Sequence, residues 1–329
     1  MGGEPSKPQI SVNEALEILV RHVTEEIGFA PRDVYSAILH LPQMKEKRDL
    51  AVEQLTYHKL LTFVRTFSKD CRLDSFSHDV IAVHPHKISD GEDKWEIHFK
   101  STQTMKAAES LMEAEEDIHI RETYGLLRNI PEGSVLAGWL FEKIARSILI
   151  KVWVGTAPRV TPMTSENGVP PVFSTDSPSR SSPLELRLRT VQKVEFAPGT
   201  DLPAVTLDGD KLYIPTATND PPFDSFTIYH DPNNDTVIIS IYRMTIAESQ
   251  RGSARGYTRI DKIVSRVCSL LQASSDPKVE VKNRVKVKYF LVCPADGVQR
   301  EWTMPSGWDD NTAQNDYRGD VFCIRVPGL

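Results

Sequence analysis

Two apolar runs limit what this chain can become. One is Thr236–Ile241 in "TVIISIYRMTI"; the other lies in "RVKVKYFLVCPA". Each is too short for a buried helix and too apolar for a strand with one wet face, so both read as strands of a largely buried sheet. Between them "YTRIDKIVSRVCSLLQASS" sets Ile260, Ile263, Val264, Val267 and Leu271 at helical spacing. Ahead of them "LELRLRTVQKVEFAP", "KLYIPT" and "FDSFTIYH" alternate like strands. A helix, "VLAGWLFEKIARSILIKVWV", opens the series with Val135, Trp139, Leu140, Ile144, Ile148 and Leu149 on one apolar face. Strands mixed with flanking helices predict an α+β or α/β layered fold.

The first part of the chain has another period. Residues 1–10 read as a flexible tail. Ser11 and Glu14 make a capping-box pattern, and Val12, Leu16, Leu19, Val23 and Ile27 recur at helical spacing, with Gly28 to end the helix. Pro31 opens a second helix through Leu39, and a third runs from about Lys45 to Phe67. "HDVIAVHP" and "KWEIHFKS" alternate around the polar "SDGED", as a hairpin does, and two further helical stretches follow. Residues 11–130 are therefore expected to form a mostly helical domain with one hairpin, compatible with a small winged-helix-like unit. Residues 131–329 are expected to form the sheet-containing domain. Within it, residues 155–183 carry six prolines and ten serines or threonines, which predicts a mobile insertion.

Charge and cysteine usage exclude some classes. With 39 Lys and Arg, 45 Asp and Glu and a net charge of −6, no global field draws the chain to nucleic acid or anionic lipid, so any such contact needs a local patch. The start MGGEPS formally fits an N-myristoylation pattern, but Pro5 sits inside it and few basic residues follow, so no lipid anchor is expected. No apolar run approaches membrane-spanning length, and the expectation is an intracellular protein, cytoplasmic or nuclear. Cys71, Cys268, Cys293 and Cys323 lie far apart without metal-ligand spacing and read as reduced core thiols. His78, His84, His86 and His98 cluster at the hairpin without a partner cysteine and read as polar surface residues.

The α-β-β-β-α-β order is the core order of the restriction-endonuclease-like (PD-(D/E)XK-type) fold. That fold places one carboxylate at the start of its second core strand, a second acid and a lysine on the third, and often a helix glutamate. Together they hold Mg²⁺, which activates water against a phosphodiester. Asp224 fits the strand carboxylate and Glu142 the helix acid, so both are candidate catalytic residues and metal ligands. Arg243 and Thr245 occupy the third-strand positions, where neither a carboxylate nor a lysine stands; Glu248 lies just beyond the strand. Asp224 equally suits a strand-entry or Asx-turn position, and Glu142 a solvated helix position beside Lys143 and Arg146. Arg251, Arg255, Arg259, Lys262 and Arg266 form a basic strip able to track phosphates, with Tyr257 as a stacking ring, or else a solvated helix face.

The blocks "SHDVIAVHP…WEIHFKSTQTM", "ETYGLLRNIPEGSVLAGWLFEKIARSIL" and "PPFDSFTIYH…VIISIYRMTIAES…GYTRIDKI…KYFLVCPA", spanning roughly residues 75–295, resemble the C-terminal part of fungal Crinkler and RHS-like proteins. The resemblance implies a nuclease-like domain, often placed behind a P-loop NTPase, in proteins tied to effector or toxin roles. It maps the family's helix glutamate onto Glu142 and its strand aspartate onto Asp224. The family's third-strand motif has Gln or Glu two residues before Thr or Lys, whereas here Arg243 precedes Thr245. No G-x-x-x-x-G-K-[ST] occurs in the sequence, so no nucleotide-binding P-loop is expected. The expected function is a nuclease-fold module with a degenerate metal site that binds nucleic acid or protein. The alternatives are an active Mg²⁺-dependent nuclease and a purely structural interaction protein. No cofactor is expected, Mg²⁺ apart if the site is active.

Overall fold

A computed structural model describes residues 11–28, 30–70, 77–87, 93–114, 117–130, 133–150, 159–166, 171–175, 191–197, 203–216, 223–252, 255–274, 281–304 and 319–329. The chain divides into two compact units, Met1–Leu140 and Phe141–Leu329. It is a mixed α/β protein.

In the first unit, α1 (Val12–Ile27) starts at Ser11, whose side chain accepts the Glu14 N–H at 3.2 Å. It ends at Gly28, whose φ is +107°; a Cβ there would lie 2.1 Å from the Lys100 carbonyl oxygen, so only glycine fits. Next, α2 (Pro31–Glu53) covers the second expected helix and the start of the third, which the chain interrupts at residues 54–56. The expected break near residues 40–44 is a kink instead: His40 leaves helical geometry (φ −136°, ψ 39°) two residues before Pro42, which removes one ladder donor. The helix ends only at Glu53, and α3 (Tyr57–Asp70) follows. After the single turn α4 (Ser77–Val80), β1 (Ile81–Lys87) and β2 (Asp93–Phe99) pair antiparallel from Ile81↔Phe99 to Lys87↔Asp93. Then come α5 (Thr102–Ala114) and α6 (Asp117–Arg128). Val23, Ile27 and Ala37 form a small core between α1 and α2.

The second unit is organised by a seven-stranded sheet. The helix α7 (Ser134–Ile150) leads into it. Its strands are β3 (Arg159–Pro162), β6 (Gln192–Phe196), β7 (Lys211–Pro215), β8 (Ser225–Asp231), β9 (Thr236–Met244), β11 (Val285–Pro294) and β13 (Asp320–Val326), in the order β3-β13-β11-β9-β8-β7-β6. Strand β8 runs antiparallel to both its neighbours, β7 and β9. From β9 the chain crosses through α8 (Arg255–Ser274) to β11, parallel to β9, and β13 adds parallel to β11. Such a crossover covers one sheet face with the helix. Accordingly Val237, Ile239 and Ile241 of β9 and Val287, Tyr289 and Leu291 of β11 share a core with Ile260, Ile263, Val267 and Leu271 of α8. By the period-2 alternation of strands the opposite face carries Tyr242, Phe290 and Phe322, which stack in register across three strands at 5.3 and 5.2 Å between ring centres.

The stretch read as one mobile insertion, 155–183, contributes β3, which pairs with β13, together with β4 (Thr164–Glu166) and β5 (Val172–Ser174). These last two join β10 (Ser249–Arg251) and β12 (Glu301–Thr303) in a small sheet, β10-β12-β5-β4. Its few apolar residues suffice because β3 and β5 borrow partners from far along the chain: Val160 lies opposite Ile324 and Phe173 opposite Trp302, while β4 pairs with β5. The remainder of that stretch lies outside the described residues. No described helix is long and apolar enough to cross a membrane.

Candidate functional site

The hairpin β8–β9 fixes the position of Asp224. Ser225 pairs with Tyr242, so one residue further out Asp224 faces Arg243 across the strands. The Asp224 N–H donates to the Tyr242 carbonyl at 2.8 Å. Its carboxylate then accepts two hydrogen bonds, from Arg243 Nη1 to Oδ1 at 2.9 Å and from the Met244 N–H to Oδ2 at 2.5 Å. These bonds run cross-strand, unlike those of an Asx-turn. Both oxygens of Asp224 are engaged.

Glu142 lies on α7 and forms an ion pair with Arg146 one turn later. Its carboxyl is pushed up to about 7, first by burial and then by the negative charge of Asp224; Arg146, Arg243 and Lys143 pull it back. The charge of Asp224 thus reaches Glu142, and two arginines complete the cluster. The Nε atoms of Arg146 and Arg243 and the hydroxyl of Ser225 are buried without a hydrogen-bond partner among the described residues. Glu142 keeps 30 % of its side chain exposed, so it is neither a freely solvated helix position nor a sealed one.

Arg243 and Thr245 have unlike roles. Arg243 holds Asp224, while the Thr245 hydroxyl accepts the Ala247 N–H at 3.0 Å and its own N–H donates to Val292, closing the end of β9. Glu248 is exposed, and its carbonyl accepts the Glu301 N–H.

This donor set does not fit a divalent cation. A metal at Asp224 would have to displace a guanidinium and a backbone N–H, and two fixed positive charges would remain beside it. Among the described residues no group of three His, Cys, Asp or Glu side chains is assembled to hold one. At the β1–β2 hairpin His84 and His98 touch edge to face at 5.2 Å and Glu96 approaches His98 at 3.3 Å; burial pulls His84 down. His78 is exposed, and the His86 side chain lies outside the described residues.

Of the basic strip, Arg259, Lys262 and Arg266 share one face of α8 at three- and four-residue spacing. Lys262 and Arg266 are exposed, whereas Arg259 is half-buried and its guanidinium is pulled down by burial. Arg251 is exposed on β10. The side chains of Arg255 and Tyr257 lie outside the described residues.

Beyond standing beside Glu142, Arg146 completes a Glu-x-x-x-Arg spacing that on a helix is itself a pairing signal. Asp296 and Arg300, to which no motif in the sequence points, pair at 2.7 Å just after β11. No protein-family model, no curated protein and no solved structure matches the chain.

Proposed function

We propose that residues 141–329 are a restriction-endonuclease-like unit of the Crinkler/RHS-like kind whose acid pair is closed by arginine, and that it binds nucleic acid rather than cleaving it. The chain order α7, β7, β8, β9, α8, β11, with β3 to β6 inserted after α7 and β10 after β9, and the sheet order β7-β8-β9-β11 support the fold reading. The reach of the Asp224 charge to Glu142 supports a shared ancestral site. One observation carries the functional reading: Arg243 and the Met244 N–H take both oxygens of Asp224, the atoms a catalytic metal needs. The exposed Lys262 and Arg266 supply the phosphate contacts. In the first unit, helices followed by the β1–β2 hairpin are compatible with a winged-helix-like arrangement.

A second reading, a protein-interaction module, is favoured by the exposure of Val12 and Leu16 on α1 and of Tyr35 and Leu39 on α2. One experiment separates the readings. The full chain is titrated into labelled single-stranded DNA, duplex DNA and RNA at low and physiological salt, and incubated with each in Mg²⁺ and in Mn²⁺. Weak binding that falls steeply with salt and drops on charge reversal of Lys262 and Arg266, without cleavage, is the expected result. Cleavage that disappears in Asp224→Ala overturns it in favour of an active nuclease. Absence of binding at low salt leaves the protein-interaction reading.

A further inference from the structure

The thiols of Cys293 on β11 and Cys323 on β13 stand 3.3 Å apart, sulfur to sulfur. Their strands are adjacent and parallel. Leu291 pairs with Cys323 and Cys293 with Arg325, so the cysteines sit a diagonal apart. Both belong to the core that packs on α8, and both are fully buried.

The surroundings differ from those of an ordinary core thiol. Arg300 is 1 % exposed; its Nη2 donates to Asp296 Oδ2 at 2.7 Å, and its buried Nε has no partner among the described residues. Arg325 donates to the Val298 carbonyl at 3.2 Å and to Thr175 Oγ1 at 3.4 Å. The hydrogen bond shared with Cys323 draws the Cys293 thiol below its usual value, and the charges of Arg325 and Arg300 assist, against burial and Asp296. Cys323 is pushed well above the usual thiol value, by that same hydrogen bond and by burial. One sulfur is prepared to ionise beside another that keeps its proton.

We propose that Cys293 and Cys323 form a redox-active dithiol, a covalent-modification site that closes to a disulfide when a peroxide oxidises it. The Cys293 thiolate attacks one peroxide oxygen, the O–O bond breaks, and the departing hydroxide takes up a proton as water. Cys293 is left as a sulfenic acid. The sulfur of Cys323 then attacks the Cys293 sulfur: the S–S bond forms, the S–O bond breaks, and a second water leaves with the Cys323 proton. Two thiols lose two electrons and two protons, and one hydrogen peroxide becomes two waters. The sulfurs must close from 3.3 Å to about 2.05 Å. Because both are buried, peroxide reaches them through local opening of the sheet, and oxidation is slow.

The test uses the full chain, reduced and then freed of reductant. It is treated with hydrogen peroxide for hours, unfolded in N-ethylmaleimide and digested for mass spectrometry. The expected product is a peptide pair joined through Cys293 and Cys323, absent before peroxide and removed by dithiothreitol. In Cys323→Ala, dimedone captures a sulfenic acid on Cys293; in Cys293→Ala it captures several-fold less on Cys323. Recovery of both residues as maleimide adducts after peroxide, with oxidation at Cys71 or Cys268 instead, overturns the proposal. So does a Cys293–Cys323 link that forms only when peroxide meets the unfolded chain. The wild-type measurement does not depend on how well either variant folds.

Discussion

Among the aspartate–arginine pairs of the second unit, two are of opposite character. Asp296 and Arg300 are four residues apart and almost dry, with 7 % and 2 % of their side chains exposed. The pair is locally tied: Asp296 also accepts the Val298 N–H, and the Arg300 N–H donates to Thr175 Oγ1. Asp224 and Arg243 come from different strands, keep 14 % and 25 % exposed, and face a second acid, Glu142, with its own arginine. Burial turns the first pair into a structural plug, since neither charge has water to fall back on. Partial exposure and a surplus acid leave the second a site held shut by a single residue. The chemistry of the pair is the same; its surroundings decide whether it can be opened.

The comparison is tested most severely by removing each arginine. Arg300→Met leaves the Asp296 charge buried and uncompensated, and should cost about 3–5 kcal/mol of stability in urea unfolding. Arg243→Met should cost roughly 1–3 kcal/mol, because Asp224 keeps the Met244 N–H and some water. Equal losses would erase the distinction. A smaller effect concerns metal. At about 5 Å and an effective dielectric near 20, the Arg243 charge opposes a divalent ion by on the order of 6–7 kcal/mol before screening. Even a third of that predicts that Arg243→Ala raises Mn²⁺ affinity by roughly tens of fold, read by calorimetry, with no such gain in Arg300→Ala. No gain at Arg243 would mean that the acid pair was never a ligand seat.

The smallest effect is a pH dependence. In the folded chain Glu142 titrates at about 7, against 4.5 for the free side chain, so the native state holds this proton more tightly. Its contribution is complete below pH 4.5 and is lost as pH rises towards 7. With the side chain 30 % exposed and paired to Arg146, the loss should be roughly 1–2 kcal/mol. Glu142→Gln should flatten it. Urea midpoints at pH 5 and pH 7.5 for both proteins give the answer, and an identical slope in the two would assign the decline to other groups.

The legibility of these features follows the range of the forces behind them. Local periodicity located α8, with Ile260, Ile263 and Val267 buried as their spacing required. The hairpin also carried enough information to set Asp224 opposite Arg243, since a pairing register extends residue by residue. The three-residue strands β4, β5, β10 and β12 escaped because alternation cannot register over three positions and their order comes from partners elsewhere. The α2 boundary was misplaced because Pro42 reads as a terminator, while tertiary packing of Ala37 and Met44 on α1 tolerates a bend. The contact of Cys293 with Cys323 was invisible: thirty residues and a parallel strand pairing separate it from any local pattern.

The pairing of β3 with β13 has a consequence for biosynthesis. Among the described strands of the large sheet β3 is translated first, yet the strand it pairs with is made last, at Asp320–Val326. Through the synthesis of this unit β3 waits on the ribosome without a mate, and β11 exposes the edge that β13 will cover. The entropy of closing so long a loop grows only logarithmically, so the final state suffers little. The order of events suffers more: non-local closure is slow, and an uncovered apolar edge invites pairing with another nascent chain. The last strand to be made is therefore the one that ends this exposure.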